Sequence, residues 1–166
     1  LFTPELDADQ MRDEGLRTML KTEQNNVREG VAMQNVLVPF DGSESAKRAV
    51  RYLVEAAQAY PNLLVHLLNV QREANLYGNY VPATMLEDLR QGAIKHAAAV
   101  NAEAVEMLQA ASVRYETHET VGDVVTEVVA AVKNHNCDTV VMGTRGMGSL
   151  GNLVMGSVAT RVVHDV

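Results

Sequence analysis

Strand-length runs alternate with longer segments of helical periodicity, and this alternation limits the folds open to the chain. In the segments between and after the runs, apolar residues recur three and four positions apart, as they do on one face of a helix. Strands that alternate with helices form a parallel sheet joined by right-handed crossovers. We therefore predict a three-layer α/β/α fold with a Rossmann-like sheet. The predicted strands are 35–40, 63–70, 113–119 and 138–142.

Residues 1–34 differ in composition from the rest of the chain. They carry charges of both signs beside a narrow apolar stripe at helical spacing. Thr3-Pro4-Glu5 is typical of a helix start, with a capping hydroxyl, proline in the first turn and an early acidic residue. We expect an N-terminal helical extension over 1–34 and one α/β domain over 35–166. A partly ordered leader is the alternative for the first segment.

The charge balance argues against two classes of partner. The 166-residue chain has a formal net charge of −7, whereas nucleic acids and anionic membrane surfaces attract basic proteins. No apolar run approaches the length of a membrane span. We expect a cytoplasmic protein with no nucleic-acid partner and no direct membrane insertion. Cys137 is the single cysteine, and we expect it to be a small buried residue.

The segment after the last predicted strand is the most informative about function. Gly143 and Gly146 are separated by two residues, and nine more lead to Gly156-Ser157 at the start of the last helix. Glycine permits close approach of a ligand to the main chain, and a helix N-terminus presents unpaired N–H groups. This combination predicts a phosphate site. The P-loop pattern is absent, as is a G-x-G-x-x-G directly after the first strand.

A second loop, Asp41-Gly42-Ser43, follows the first predicted strand. Parallel sheets of this kind bind ligands beyond the carboxyl ends of their strands, at the point where the strand order reverses. Both loops should therefore lie at one edge of the sheet and form one site.

Three motifs together resemble the universal stress protein A family over about residues 35–165. They are Val38-Pro39-Phe40-Asp41-Gly42-Ser43, His66-Leu67-Leu68-Asn69-Val70 and the spacing Gly143-x2-Gly146-x9-Gly156-Ser157. The resemblance implies an adenine nucleotide α-hydrolase-like sheet of five parallel strands, homodimers or higher homo-oligomers, and ATP binding in members with this glycine signature. Because the chain stops at His164-Asp165-Val166, we expect the fifth strand to be missing.

The resemblance also implies roles for individual residues. Arg145 either covers the phosphates or is solvated, and Mg²⁺ or Mn²⁺ would bind the phosphates. The other implied contacts are adenine for Pro39, Phe40 and Val70, ribose for Asp41, Met142 and Gly143, and phosphate for Gly146, Gly156, Ser157 and Val158.

Three functions remain open at this point. The first is an ATP-dependent regulatory protein of the stress response that acts on an unknown protein partner. The second is a slow ATPase or phosphotransferase, and the third is a nucleotide-free dimeric interaction module. No residue is predicted to be catalytic or to bind a metal. His66 is read as a core or edge histidine, and metal-ligand spacing is absent among His96, His118, His135 and His164.

Overall fold

The computed structural model describes residues 33–73, 81–143 and 157–165. The predicted N-terminal helix lies outside the described residues, as do Arg145, Gly146 and Gly156. The described strands are β1 (Asn35–Pro39), β2 (Leu64–Gln71), β3 (Arg114–Val121) and β4 (Thr139–Val140). The described helices are α1 (Glu44–Ala56), α2 (Ala83–Ala110), α3 (Val124–Asn134) and α4 (Ser157–Asp165).

The four described strands form one parallel sheet in the order β3-β2-β1-β4, which confirms the predicted parallel α/β fold. Strand β4 is shorter than the predicted 138–142, because only Thr139 and Val140 pair with β1. The Phe40 N–H bonds to the Leu68 carbonyl of β2, so the backbone nitrogen of Pro39 faces β4 instead. Proline has no N–H to donate, and the pairing of β1 with β4 ends there.

Helices cover both faces of the sheet. On one face, Val36, Val38, Val65 and Leu67 pack with side chains of α1 and α2, such as Leu53. On the other face, Leu37 and Leu68 pack against α3 and α4 through Val125, Val128 and Val162. Residues that alternate along a strand point to opposite faces, so a continuous apolar run is what a sheet covered on both sides requires.

Polar side chains start two of the helices. The Ser43 hydroxyl accepts a hydrogen bond from the Ala46 N–H at 3.1 Å and so caps the start of α1. Asp123 does the same for α3, accepting from the Thr126 N–H at 3.1 Å and from the Thr126 hydroxyl at 2.9 Å. These hydrogen bonds from Thr126 lower the pKa of Asp123.

One carboxylate joins the starts of β1 and β4. Asp138 Oδ2 accepts hydrogen bonds from the backbone N–H groups of Gln34 and Asn35, each at 2.9 Å. Its Oδ1 accepts from the Thr139 hydroxyl at 2.7 Å. Burial alone would raise the pKa of Asp138, but these hydrogen bonds favour the charged form and lower it overall.

The residues expected to be structural lie inside the domain. His66 is buried within β2. Cys137 is partly buried beside the core formed with α3, and burial, with a smaller contribution from Asp138, raises the pKa of its thiol to about 11. A thiol with that pKa is a poor nucleophile at neutral pH. Within the described ranges, no helix has the length and apolar character needed to cross a membrane.

Candidate functional site

A cleft of about 1110 Å³ opens beyond the carboxyl ends of the strands. It lies where β1 and β4 are neighbours, and the helices that follow these two strands pack on opposite faces of the sheet. This is the strand-order reversal at which parallel sheets bind ligands. The eight predicted site residues that the structure describes all line it: Pro39, Phe40, Asp41, Val70, Met142, Gly143, Ser157 and Val158.

A tight turn after β1 holds Asp41 at the cleft. The Ser43 N–H donates to Asp41 Oδ1 at 3.0 Å, so the carboxylate closes the turn over Gly42. Gly42 has a φ of +79°, a conformation that side chains disfavour. The same turn places Ser43 to cap α1. The three residues therefore form one unit in which the exposed Asp41 carboxylate and the first turn of α1 face the same space.

Asn69 ties the carboxyl ends of β1 and β2 together. Its side chain is buried, and Nδ2 donates to the Phe40 carbonyl at 2.8 Å. Oδ1 accepts from Gln71 Nε2 at 2.7 Å. Asn69, Phe40 and Gln71 all line the cleft, so this network positions the backbone of two loops around it. The sequence patterns had marked Asn69 only as part of a motif and had not marked Gln71.

Gly143 marks a close contact between the end of β4 and the first turn of α1. A Cβ atom at this position would lie 2.6 Å from Ser45 Oγ and 2.8 Å from the Ser45 carbonyl carbon. Real Cβ atoms do not approach backbone so closely, so only glycine fits without a shift of α1 or β4. Gly143 therefore permits the chain after β4 to lie against α1 beside the cleft.

Three helices begin at the cleft. Ser43 at the start of α1, Val124 of α3 and Ser157 of α4 all line it. The first turn of a helix has unpaired N–H groups and a partial positive charge. The cleft is therefore suited to an anion, although the protein as a whole is acidic.

Two basic side chains also line the cleft, Lys47 from α1 and Arg72 after β2. Lys47 Nζ lies 3.0 Å from Glu103 Oε2 and 3.7 Å from Glu44 Oε1. The hydrogen bond with Glu103 raises the pKa of Lys47, with Glu44 adding to the effect, so the ammonium stays charged at neutral pH. Sequence patterns had not predicted Glu103 or His96 as cleft residues, because their place on α2 shows no local signal.

A profile of the Universal stress protein family matches residues 33–166. The chain belongs to the universal stress protein family. A universal stress protein from Thermus aquaticus is 28% identical over 132 residues, which cover 80% of this chain and 92% of that protein.

Solved structures of the family share the fold. One, a universal stress protein in complex with cAMP, has a TM-score of 0.59 and 22% identity, covering 81% of this chain and 92% of that chain. Another, a family protein from Arabidopsis thaliana with AMP bound, has a TM-score of 0.55 and 22% identity, covering 80% of this chain and 84% of that chain. At this level of sequence identity, the similarity to these structures shows a shared fold and nothing beyond it.

Proposed function

We propose that this universal stress protein binds ATP in the cleft and acts as a nucleotide-dependent regulatory protein. The observation that carries the proposal is the lining of the cleft. Residues from four separate parts of the chain, which the family resemblance implies as adenine, ribose and phosphate contacts, surround one cavity at the strand-order reversal.

The proposed pose runs from β2 to α4. Adenine lies near Pro39, Phe40 and the backbone of Val70, and the ribose hydroxyls donate to Asp41. The phosphates lie at the N-terminus of α4, where Ser157 adds a hydroxyl, and Mg²⁺ or Mn²⁺ binds the phosphates. The glycine segment between Gly143 and Ser157, with Arg145, Gly146 and Gly156, completes the phosphate contacts. Adenine nucleotides in two structures of the family support this ligand class.

A regulatory role fits the cleft better than rapid hydrolysis does. Phosphoryl transfer needs a positioned base or a group that orients water near the γ-phosphate. Among the described lining residues, the carboxylates are Asp41 and Glu103. Asp41 is assigned to the ribose, and Glu103 is paired with Lys47.

The first test is to denature freshly purified protein and identify any released nucleotide by liquid chromatography and mass spectrometry. Calorimetric titration of nucleotide-free protein with ATP, AMP and cAMP, each with and without Mg²⁺, then ranks the ligands. We expect ATP with Mg²⁺ to bind most tightly, and Asp41→Ala to weaken all three because each carries a free ribose hydroxyl. Asp88→Ala, on an exposed part of α2, is the matched control.

Each outcome decides between the candidate functions. Equal affinity for ATP and AMP would contradict the proposed contacts to the phosphates beyond the first, which AMP lacks. No binding of any of the three would favour the nucleotide-free interaction module. If the protein hydrolyses ATP, and Asp41→Asn abolishes hydrolysis while ATP still binds, the result would identify the protein as an enzyme.

A further inference from the structure

Three histidines and a glutamate meet on the sheet face that packs against α3. His66 belongs to β2, and the strand register places it opposite Glu116 of β3. His118 lies two residues beyond Glu116 and so points to the same face. His135 follows the last turn of α3 and lies against both His66 and His118. None of these four residues lines the nucleotide cleft.

The distances within this histidine cluster are those of a coordination shell. His66 Nδ1 lies 3.1 Å from His118 Nε2 and 3.5 Å from Glu116 Oε2, and His118 Nε2 lies 3.9 Å from that oxygen. One ligand atom from each of the four residues lies within 4.8 Å of the others. Tetrahedral ligands at the usual distance from zinc are separated by about 3.3 Å. The stacked rings would have to rotate about their side-chain bonds to direct all four ligand atoms at one ion.

The three imidazoles of the cluster lie too close together for all of them to be protonated easily. The three rings are stacked, with centroids 3.9 to 5.4 Å apart, so charging one imidazole disfavours charging the next. Neutral imidazole is the form that binds metals. Glu116 supplies a negative charge at the open side of the cluster.

His66 is the least satisfied member of the cluster. Its side chain is 5% exposed, and its Nε2 has no hydrogen-bond partner among the described residues. Buried polar atoms nearly always have partners, so an unpaired Nε2 at this depth is unusual. Its other nitrogen, Nδ1, is the one that faces His118 and Glu116.

We propose that His66, Glu116, His118 and His135 form a binding site for a first-row transition-metal dication, with Zn²⁺ as the best-fitting ion. Three imidazoles and one carboxylate suit Zn²⁺, whereas Mg²⁺ and Ca²⁺ prefer oxygen ligands alone. The ion would link β2, the edge strand β3 and the C-terminus of α3. The N-terminus of that helix lines the nucleotide cleft, about 16 Å away along its axis.

The test uses the full chain without a histidine tag, freed of nucleotide and stripped of metal with a chelator. Titration with Zn²⁺ should show one tight site per chain. Co²⁺, used as a spectroscopic probe, should give the intense visible absorption of a tetrahedral complex. Both signals should survive in His164→Ala, because His164 is an exposed histidine of α4 outside the cluster.

The decisive variants are His118→Ala and His135→Ala, whose side chains are partly exposed, so that the fold should tolerate their loss. Each should weaken Zn²⁺ binding at least about 10-fold. Even substitution of a residue that only hydrogen-bonds to a metal ligand typically lowers metal affinity by about that factor. Zn²⁺ should raise the melting temperature of the wild type and of His164→Ala, and should not do so in the cluster variants. Circular dichroism checks that each variant is folded.

Two results would overturn the proposal: Zn²⁺ affinity unchanged in both folded cluster variants, or an absence of tight binding in the wild type. Neither result bears on the nucleotide cleft, because the titration is done without nucleotide.

Discussion

Gly143 and Gly92 differ in whether their surroundings leave room for a side chain. Gly143 lies against Ser45, where a Cβ would overlap the backbone, whereas nothing lies within 4 Å of a Cβ added to Gly92 on α2. The first glycine is required by tertiary contact. The second only weakens a helix, because glycine loses more backbone entropy on folding than alanine does.

Gly143→Ala should therefore damage the cleft. Relieving the overlap with Ser45 requires a shift of α1 or β4 that costs about 1–3 kcal/mol. If the cost falls on binding, ATP affinity drops by about 5- to 150-fold. Calorimetric titration measures the loss of ATP affinity, and urea unfolding measures the loss of folding stability.

Gly92→Ala is the matched control. It should raise the free energy of unfolding by about 0.5–1 kcal/mol and leave ATP affinity unchanged. Equal behaviour of the two variants in both assays would contradict the role given to Gly143.

The buried amide of Asn69 gives a second prediction at this scale. Asn69→Leu keeps the branched shape of the side chain, with larger terminal groups, but removes the donor to Phe40 and the acceptor for Gln71. We expect the free energy of unfolding to fall by about 1–3 kcal/mol in urea titrations, because the Phe40 carbonyl loses its partner in a buried position. Gln71→Ala removes only one of the two bonds and should cost less. If Gln71→Ala lowered the free energy of unfolding as much as Asn69→Leu does, the hydrogen bond to the Phe40 carbonyl would contribute nothing to stability.

Between elements, the weakest pairing in the described sheet is that of β4 with β1, which extends over two residues. Pro39 prevents its extension toward the cleft, and Asp138 secures its other end through Gln34 and Asn35. A short strand anchored by one carboxylate leads directly to Gly143. The position of Gly143 thus depends on an interaction at the opposite ends of the strands.

Asp138 makes stability depend on pH. Its pKa is lower in the folded chain than the unfolded value of about 3.9. The stabilisation is therefore complete above the unfolded pKa and is lost as the pH falls through the folded pKa. At pH 7, Asp138→Asn should be less stable by about 1 kcal/mol. Between about pH 5 and pH 2 its stability should decline less steeply than that of the wild type.

Urea titrations across this range measure the two slopes. Asp88→Asn, an exposed aspartate on α2, is the matched control for the loss of one carboxylate. Parallel curves for the wild type and Asp138→Asn would show that Asp138 does not titrate as described.

Across the whole molecule, ligand binding and folding stability are linked. A ligand that binds only the folded chain stabilises it by about 2.7 kcal/mol at a concentration 100 times its Kd. ATP with Mg²⁺ should therefore raise the melting temperature of the wild type. Asp41→Ala at the same ATP concentration should show a smaller rise, since the ribose contact is gone. A rise of equal size in both would place ATP elsewhere, and scanning calorimetry at several ATP concentrations decides this.

Local patterns were sufficient for the element order and for much of the cleft. Runs such as 35–40 and 63–70 are apolar throughout because both faces of their strands are covered. Parallel strands then bring their carboxyl ends to one edge whatever the details of packing, so Asp41, Val70 and Gly143 were bound to come near each other. The predicted extent of β4 was wrong. An apolar run does not show that the backbone nitrogen of Pro39 faces β4, where the missing N–H ends the pairing.

The sequence by itself determined the α/β/α fold, the edge at which the cleft opens and the residues that end the strands there. These follow from alternation and from connections between consecutive elements. Only the tertiary structure decided that Gly143 meets Ser45, that Lys47 pairs with Glu103 and that His66, Glu116, His118 and His135 form a cluster. Such contacts depend on strand register and on the angle at which each helix crosses the sheet. Both are set by the packing of the entire core, so no spacing along the chain encodes them.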